Sequence, residues 1–388
     1  MNPRSLLCTL GLMSTALATN LYVSSYSGTI TSLSLTRTNN ASYSLASVAV
    51  NTGSSPNPSF LNLDRVSHIL YCVDEGLNVA NGSVASYSTA ASGALTLLDR
   101  QVTLSGPVAS IVYNSGKALA LPHYSGSALT TWSISPSGAL APLQNFTFVL
   151  ASPSDDSRQD APHPHETLID PTDSFVLVPD LGADLVRIFS VDPSTSLLTE
   201  STPLVAPTGS GPRHAAFLVA GDQTYLFLVT ELTSTLISYK VNYDTPGSLA
   251  FEEVMAIGIY GDNTTRSDTF AAEVVVSPDD RYLLTSSRGD NMFTIPSFNG
   301  SGTIQSDTLQ AWQIDPATGR LTFEQLAPAG GSYPRQFSVN RSGTLAAVAL
   351  QKSSSVVIVE RHVDNGTFGA FVAEIPIDGE ITSVVWDE

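Results

Sequence analysis

His163 and His165 are the residues whose spacing most directly suggests chemistry, standing two apart in Ala161-Pro162-His163-Pro164-His165. On an extended segment alternate side chains face one side, so the pair could ligate a metal together with His123 or His214. No cysteine or carboxylate cluster accompanies them, and a metal is not expected. Cys72 lies in Leu70-Tyr71-Cys72-Val73, where a cysteine packs as a small hydrophobe rather than acting as a nucleophile. The chain has no Gly-x-Ser-x-Gly elbow, so its many serines read as turn and surface residues. It has no glycine-rich phosphate loop either, and no nucleotide cofactor is expected. Any chemistry would then fall to side chains alone, without a metal or a nucleotide cofactor.

Such groups need elements that bring them together, and the chain supplies these by repetition. A unit recurs that opens on a short strand near a proline, passes an Asp-, Pro-, Ser- or Gly-rich turn, and continues through an apolar strand and two more strands. One copy runs from Pro162 through Asp170-Pro171 to Phe175–Asp180, and another from Ala272-Glu273 through Ser277-Pro278-Asp279 to Tyr282–Arg288. Openings at Pro58, Pro107, Pro162, Pro212, Ala271 and Pro334 are spaced by 49, 55, 50, 59 and 63 residues. Four-stranded units of this length are propeller blades, whereas a two-sheet sandwich would not explain the period. Leu21–Tyr26 resembles a second strand that lacks its first, and Glu380–Trp386 supplies it. The expected fold is therefore all-β, a seven-bladed propeller closed by its C-terminal strand, with no exposed sheet edge at the join. Residues 19–388 read as one domain, with longer insertions near 152–161, 258–268 and 296–307.

Composition agrees with many short strands joined by turns. Hydrophobic residues make up 42% of the 388 and charged residues only 13%, enough apolar material for a large core. A formal charge of −18 repels nucleic-acid phosphates and anionic lipid surfaces, so neither is an expected partner. No segment approaches the roughly 20 apolar residues that would span a membrane as a helix.

The units contain Ala161–His165 followed by Val178–Asp184, Gly211-Pro212-Arg213-His214, Thr230-Glu231-Leu232, Ser277–Arg281 with Ser287-Arg288-Gly289, and Pro334-Arg335. In these motifs and their order the chain resembles the family of seven-bladed propeller lactonases that includes bacterial 6-phosphogluconolactonase and fungal carboxy-cis,cis-muconate cyclase. The resemblance covers nearly the whole chain after residue 18. It implies a catalytic set of His165, Arg213, Glu231 and Arg288, gathered at one mouth of the central channel by the starts of first strands and the ends of second strands. The arginines would clamp a small anionic lactone, or its ring-opened acid, and hold developing negative charge. His165 and Glu231 would move protons, either opening the lactone with water or closing it on an alkene; which of them is acid and which base stays open. Any one of these groups, taken alone, could equally be an ion pair tying blades together. Glu75, His123, His163, Asp180, His214, Glu273 and Arg335 are further candidates for substrate binding, and Asp74 and Gln351 fall at similar places.

The ends and surface speak to location. Arg4, the apolar run Leu6–Leu12 and Ala16-Leu17-Ala18 form a secretory signal, with cleavage expected after Ala18. Asn-x-Ser/Thr sequons start at Asn40, Asn81, Asn145, Asn263, Asn299, Asn340 and Asn365, as glycosylation on a secretory route would need. With Cys8 in the signal, Cys72 is the single mature cysteine, so no internal disulfide is expected. An extracellular address, with possible association with a cell wall or matrix, raises a second reading. In it the propeller is a glycosylated binding platform with little catalysis.

Overall fold

The computed structural model describes residues 18–38, 42–53, 55–152, 158–243, 247–261 and 268–388. Seven four-stranded antiparallel sheets make up the fold, and one two-stranded hairpin is added to them. In chain order, blades 2 to 5 are built from consecutive strands, beginning at Pro58, Ile111, Leu168 and Pro212. Blade 6 starts at Phe270 and inserts a hairpin, Phe293–Pro296 paired with Thr303–Ser306, between its second and third strands. Blade 7 starts at Pro334. Blade 1 takes its innermost strand, Ile381–Asp387, from the C-terminus and the other three from Ala18–Asn51. Trp386 pairs with Leu21 and Val384 with Val23, so the last strand closes the ring next to the first.

Second strands explain why the ring holds. Ile69–Asp74, Ala118–His123, Phe175–Asp180, Tyr282–Arg288 and Leu345–Leu350 are buried at every residue, because each blade is covered on both faces by its neighbours. A strand buried on both faces reads as a continuous apolar run rather than an alternating one. The core accordingly divides into seven clusters, each lying between two adjacent blades. One of them packs Leu21, Val23 and Trp386 of blade 1 on Ala347, Val356 and Ile358 of blade 7. Another packs Leu177 and Ile188 of blade 4 on Leu226 and Ile237 of blade 5. Fourth strands such as Tyr43–Asn51 are largely exposed.

The turns between first and second strands use side chains as caps. Asp170 Oδ1 accepts the backbone N–H groups of Ser174 and Phe175 at 2.8 and 2.7 Å, a local pairing that Asp and Asn form readily. Asn340 does the same for Leu345 at 2.9 Å, and its Nδ2 donates to Ser342. Among the expected glycosylation positions, Asn340 is buried and its amide is engaged in this turn. Asn81, Asn145, Asn299 and Asn365 are exposed. Asn40 and Asn263 lie outside the described residues, as does the signal segment before Ala18.

Candidate active site at the channel mouth

One register, repeated around the ring, builds the mouth. In blades 1, 2, 5 and 7 the innermost strand skips a residue opposite the end of the second strand, at Thr382, Ser59, Arg213 and Arg335. In blade 6 the slip spans Ala272 and Glu273. A β-bulge leaves the extra residue unpaired and re-aims its side chain. Blade 4 reaches the same arrangement through an isolated bridge, Pro164 to Asp180, which sets His165 at the equivalent place. Residues at or just past the ends of second strands supply the other half of the mouth: Tyr26, Glu75, Tyr124 and Glu231 each follow the last paired position, and Arg288 ends its strand paired with Phe270. Gly211 holds two of these groups together. It adopts φ +66, where a side chain would also strike Leu232, and its carbonyl accepts the Glu231 N–H at 2.7 Å while Pro212-Arg213 follow directly.

A cavity of about 260 Å³ opens there. One wall, from blades 4 to 6, carries His165, Arg213, Glu231 and Arg288, with Arg158 reaching in from the segment before blade 4. The opposite wall carries Glu75, Tyr333 and Arg335; Tyr124 also lines the cavity, and Phe270 lies against Arg158 and Arg288 on the first wall. A wider surface cleft of about 490 Å³ beside blade 2 is lined largely by Pro56, Val79, Ala80 and Val102 and offers no comparable acid–base set. Its Asp74 accepts the N–H groups of Asn57 and Gly76.

On the first wall every strong donor converges on Glu231. Arg213 Nη1 lies 2.5 Å and Arg288 Nη2 2.8 Å from Oε2, and Arg158 Nη2 pairs with Oε1. Burial alone would raise the Glu231 carboxyl, but Arg288, Arg213 and Arg158 outweigh it and hold it well below the ordinary carboxylate range. Glu231 is thus an anion with little basicity. Arg213 Nη1 also contacts His165 Nε2 at 2.6 Å and its Nε donates to the Ala272 carbonyl at 3.0 Å. Since guanidinium only donates, His165 Nε2 accepts and its proton sits on Nδ1. Burial, then Arg213 and His214, push the imidazole well below its usual pKa, so it is neutral. Both His165 Nδ1 and Arg288 Nε are buried with no partner among the described residues.

The other wall is balanced differently. Arg335 donates from Nη1 to the Tyr26 hydroxyl at 2.8 Å and from Nη2 to Glu75 Oε1 at 3.1 Å. The same hydroxyl donates to Glu75 Oε1. Arg335 also lies over the Tyr26 ring, 5.5 Å from its centroid.

The expected set thus divides in three. His165, Arg213, Glu231 and Arg288 come together, and Glu75 and Arg335 face them. His214 and Glu273 lie behind this layer and are bonded to each other at 2.8 Å; together with Glu166 their ligand-type atoms fall within 4.8 Å of one another. Glu166 also accepts the Ala215 N–H at 2.6 Å, so the trio ties the inner strands of blades 4, 5 and 6 together. Three candidates are corrected. His163 is no partner of His165: it stacks on Tyr124 at 4.2 Å, and its nitrogens face the Tyr124 carbonyl and Asp160. His123 contacts Thr130 and the Leu104 carbonyl, and burial lowers its pKa to about 4. Asp180 binds Arg187 at 2.8 Å and accepts the His163 N–H. His123 and Asp180 end their second strands, one residue short of the positions that enter the mouth, so they brace loops instead. Gln351 bonds Glu380 at the surface.

Tyr26, Tyr124, Arg158, Phe270 and Tyr333 were missed by sequence reasoning. Aligning the repeats one residue further along would have found Tyr26 and Tyr124, which stand where Glu75 and Glu231 stand in their own blades. No repeat position marks Arg158, which lies in an insertion.

Comparison with known proteins follows the same lines. The family model described as "Lactonase, 7-bladed beta-propeller" matches residues 20–386. A protein of Arthroderma benhamiae named "Probable 6-phosphogluconolactonase" is 30% identical over 321 residues, 82% of this chain and 77% of that one. The 6-phosphogluconolactonase of Formosa agariphila is 26% identical, over 83% of this chain and 86% of its own. Among solved structures, the periplasmic gluconolactonase PpgL of Pseudomonas aeruginosa superposes with a TM-score of 0.79 at 23% identity. It covers 95% of this chain and 99% of its own, a likeness of fold.

Proposed function

The chain belongs to the seven-bladed β-propeller lactonase family, and from that premise we propose that it is a lactone hydrolase acting at the blade 4–6 wall of the mouth. The observation that carries this reading is the convergence of Arg158, Arg213 and Arg288 on a single carboxylate beside a neutral His165. That wall keeps an excess of positive charge facing the cavity. A lactone carbonyl seated there would develop its oxyanion against guanidinium donors already in place, the largest single contribution in many acyl transfers.

In hydrolysis, water adds to the carbonyl carbon, the ring C–O bond breaks, and the proton lost by water ends on the ring oxygen as it becomes a hydroxyl. When Arg213 turns its N–H to the oxyanion, His165 Nε2 is released to take that proton and hand it on. Glu231, already ionised and held by three arginines, orients the donors instead of moving protons. The muconate-cyclase alternative needs an acid that protonates carbon. Glu231 is ionised and His165 is a neutral imidazole, so neither stands ready as a strong acid, which favours ring opening.

The extracellular address belongs to the same proposal, with the signal removed after Ala18 and sugars at the exposed Asn81, Asn145, Asn299 and Asn365. The N-terminal pattern and these exposed positions support it.

Purified protein should open glucono-1,5-lactone or its 6-phosphate and leave carboxymuconate unchanged. Arg288→Ala should lower kcat on the lactone about 10²-fold, the usual cost of one oxyanion donor. Muconate lactonisation without lactone hydrolysis would reverse the assignment, and absence of both would favour the binding-platform reading.

A further inference from the structure

Ser286 lies on the second strand of blade 6, two residues before Arg288, and is completely buried. Its hydroxyl makes two bonds at once. The oxygen accepts the Glu273 N–H at 3.1 Å, and the proton is donated to the Pro334 carbonyl at 2.9 Å. Because an amide N–H only donates and a carbonyl only accepts, both directions are fixed. One group thereby joins the bulge of blade 6 to the opening of blade 7.

Both ends of this relay lead to the mouth. Ala272 and Glu273 form the bulge in which the inner strand of blade 6 leaves its register, so ladder bonds cannot hold it in place. The Ala272 carbonyl accepts Arg213 Nε at 3.0 Å, and the Ala271 carbonyl lies 3.5 Å from Arg288 Nη2. These are two of the arginines that meet on Glu231. At the far end Pro334 directly precedes Arg335, the residue that its own strand leaves unpaired. Blades 1 and 2 make a comparable link from the bulge itself, Thr382 Oγ1 to the Pro58 carbonyl at 2.8 Å and Ser59 Oγ to the Pro107 carbonyl at 2.9 Å. In blade 6 the matching residue is Ala272, which has no hydroxyl, and Ser286 supplies one from the neighbouring strand.

We propose that Ser286 is a positioning residue for the lactone reaction: through the Glu273 N–H it holds the bulge whose carbonyls aim Arg213 and Arg288, and through Pro334 it ties their wall to that of Arg335. This rests on the lactonase reading and deepens it, because Ser286 acts on the reaction through the arginines alone. A guanidinium displaced by a fraction of an ångström keeps its charge and still attracts substrate. It meets the developing oxyanion in poorer geometry, so the loss falls on kcat rather than KM.

The test compares Ser286→Ala with Ser238→Ala in the whole protein. Ser238 is equally buried and also joins two blades, its Oγ donating to the Gly319 carbonyl at 2.7 Å, in a turn at the end of blade 6 away from the mouth. Both variants should lower Tm by a similar amount, with the fold checked by circular dichroism. With glucono-1,5-lactone, Ser286→Ala should lower kcat about tenfold and leave KM within about twofold of the parent, whereas Ser238→Ala should turn over as the parent does. Ser286→Cys, of similar volume but a weaker donor, should fall between Ser286→Ala and the parent. A second readout needs no turnover. Arg213, after burial, is what keeps the His165 imidazole from protonating, so the ring-proton resonance of His165 should titrate about one pH unit higher in Ser286→Ala and unchanged in Ser238→Ala. Parent-like kcat and His165 titration in Ser286→Ala, or an equal fall of kcat in both alanine variants, would overturn the proposal. A parent protein that opens no lactone while the His165 titration moves in Ser286→Ala alone would refute the hydrolase reading and leave the relay intact.

Discussion

The two walls of the mouth occupy the same positions of the same repeat and do opposite things with them. On blades 4 to 6 the bulge and strand-end positions hold His165, Arg213, Glu231 and Arg288, and the insertion adds Arg158, so cations outnumber carboxylates. On blades 7, 1 and 2 they hold Arg335, Tyr26 and Glu75, in which one guanidinium is matched by one carboxylate. A repeat therefore fixes where functional side chains stand without fixing what they do. Charge asymmetry across one small cavity therefore distinguishes its two sides.

The sharpest way to break the comparison is Arg213→Ala. Arg213 alone joins Glu231, His165 and the Ala272 carbonyl, so its loss should lower kcat on a lactone about 10²- to 10³-fold. Urea unfolding should show several kcat-independent consequences as well, chiefly a loss of about 3 kcal/mol from breaking a buried ion pair. A variant with near-normal turnover would place the reacting carbonyl elsewhere.

Glu231→Gln comes next and carries a pH signature. Because the folded-state pKa of Glu231 lies below its ordinary value of 4.5, its stabilisation is fully present above about pH 4.5 and is lost as pH falls further. The variant should be less stable than the parent at pH 7, by about 3 kcal/mol for a broken buried pair. The gap should narrow as unfolding is followed below pH 4.5. A gap independent of pH would mean that the three arginines do not hold Glu231 as an anion.

The smallest effect is expected at Arg158. Its side chain is 35% exposed, so solvent screens its pairing with Glu231 and the Arg158→Ala cost should be about 1 kcal/mol or less in stability. Turnover should fall severalfold, far less than for Arg213. A loss as large as that of Arg213→Ala would make the insertion, rather than the blades, the organiser of the first wall.

Much of the architecture was legible because it rests on local signals repeated many times. Runs such as Phe175–Val178 are apolar throughout because both faces of a blade are covered. Asp170 and Ser277 mark turns because their side chains cap them locally, and Glu380–Trp386 is a first strand with no second strand after it. The site was legible in part, for a matching reason. Arg213 and Arg335 follow prolines at blade openings, while Glu231 stands one residue beyond its second strand's last paired position and Arg288 ends its own second strand. The same rule misled at His123 and Asp180, where a shift of one residue turns a side chain from the cavity to the loop beneath it. His163 misled because the segment around it is not a strand, so its spacing from His165 implies no shared face.

The sequence by itself thus determined the ring of seven blades and most of the groups at its mouth, since hydrophobic runs, turn chemistry and a repeating period are local properties of a chain. Only the tertiary structure decided what those groups are to one another. Glu231 became an anion without basicity because three arginines from separate segments meet on it. Glu75 kept one open oxygen because Arg335 and Tyr26 share the other. Such balances depend on angstrom distances between residues as far apart as Tyr26 and Arg335 in the chain, and closure of the ring sets those distances.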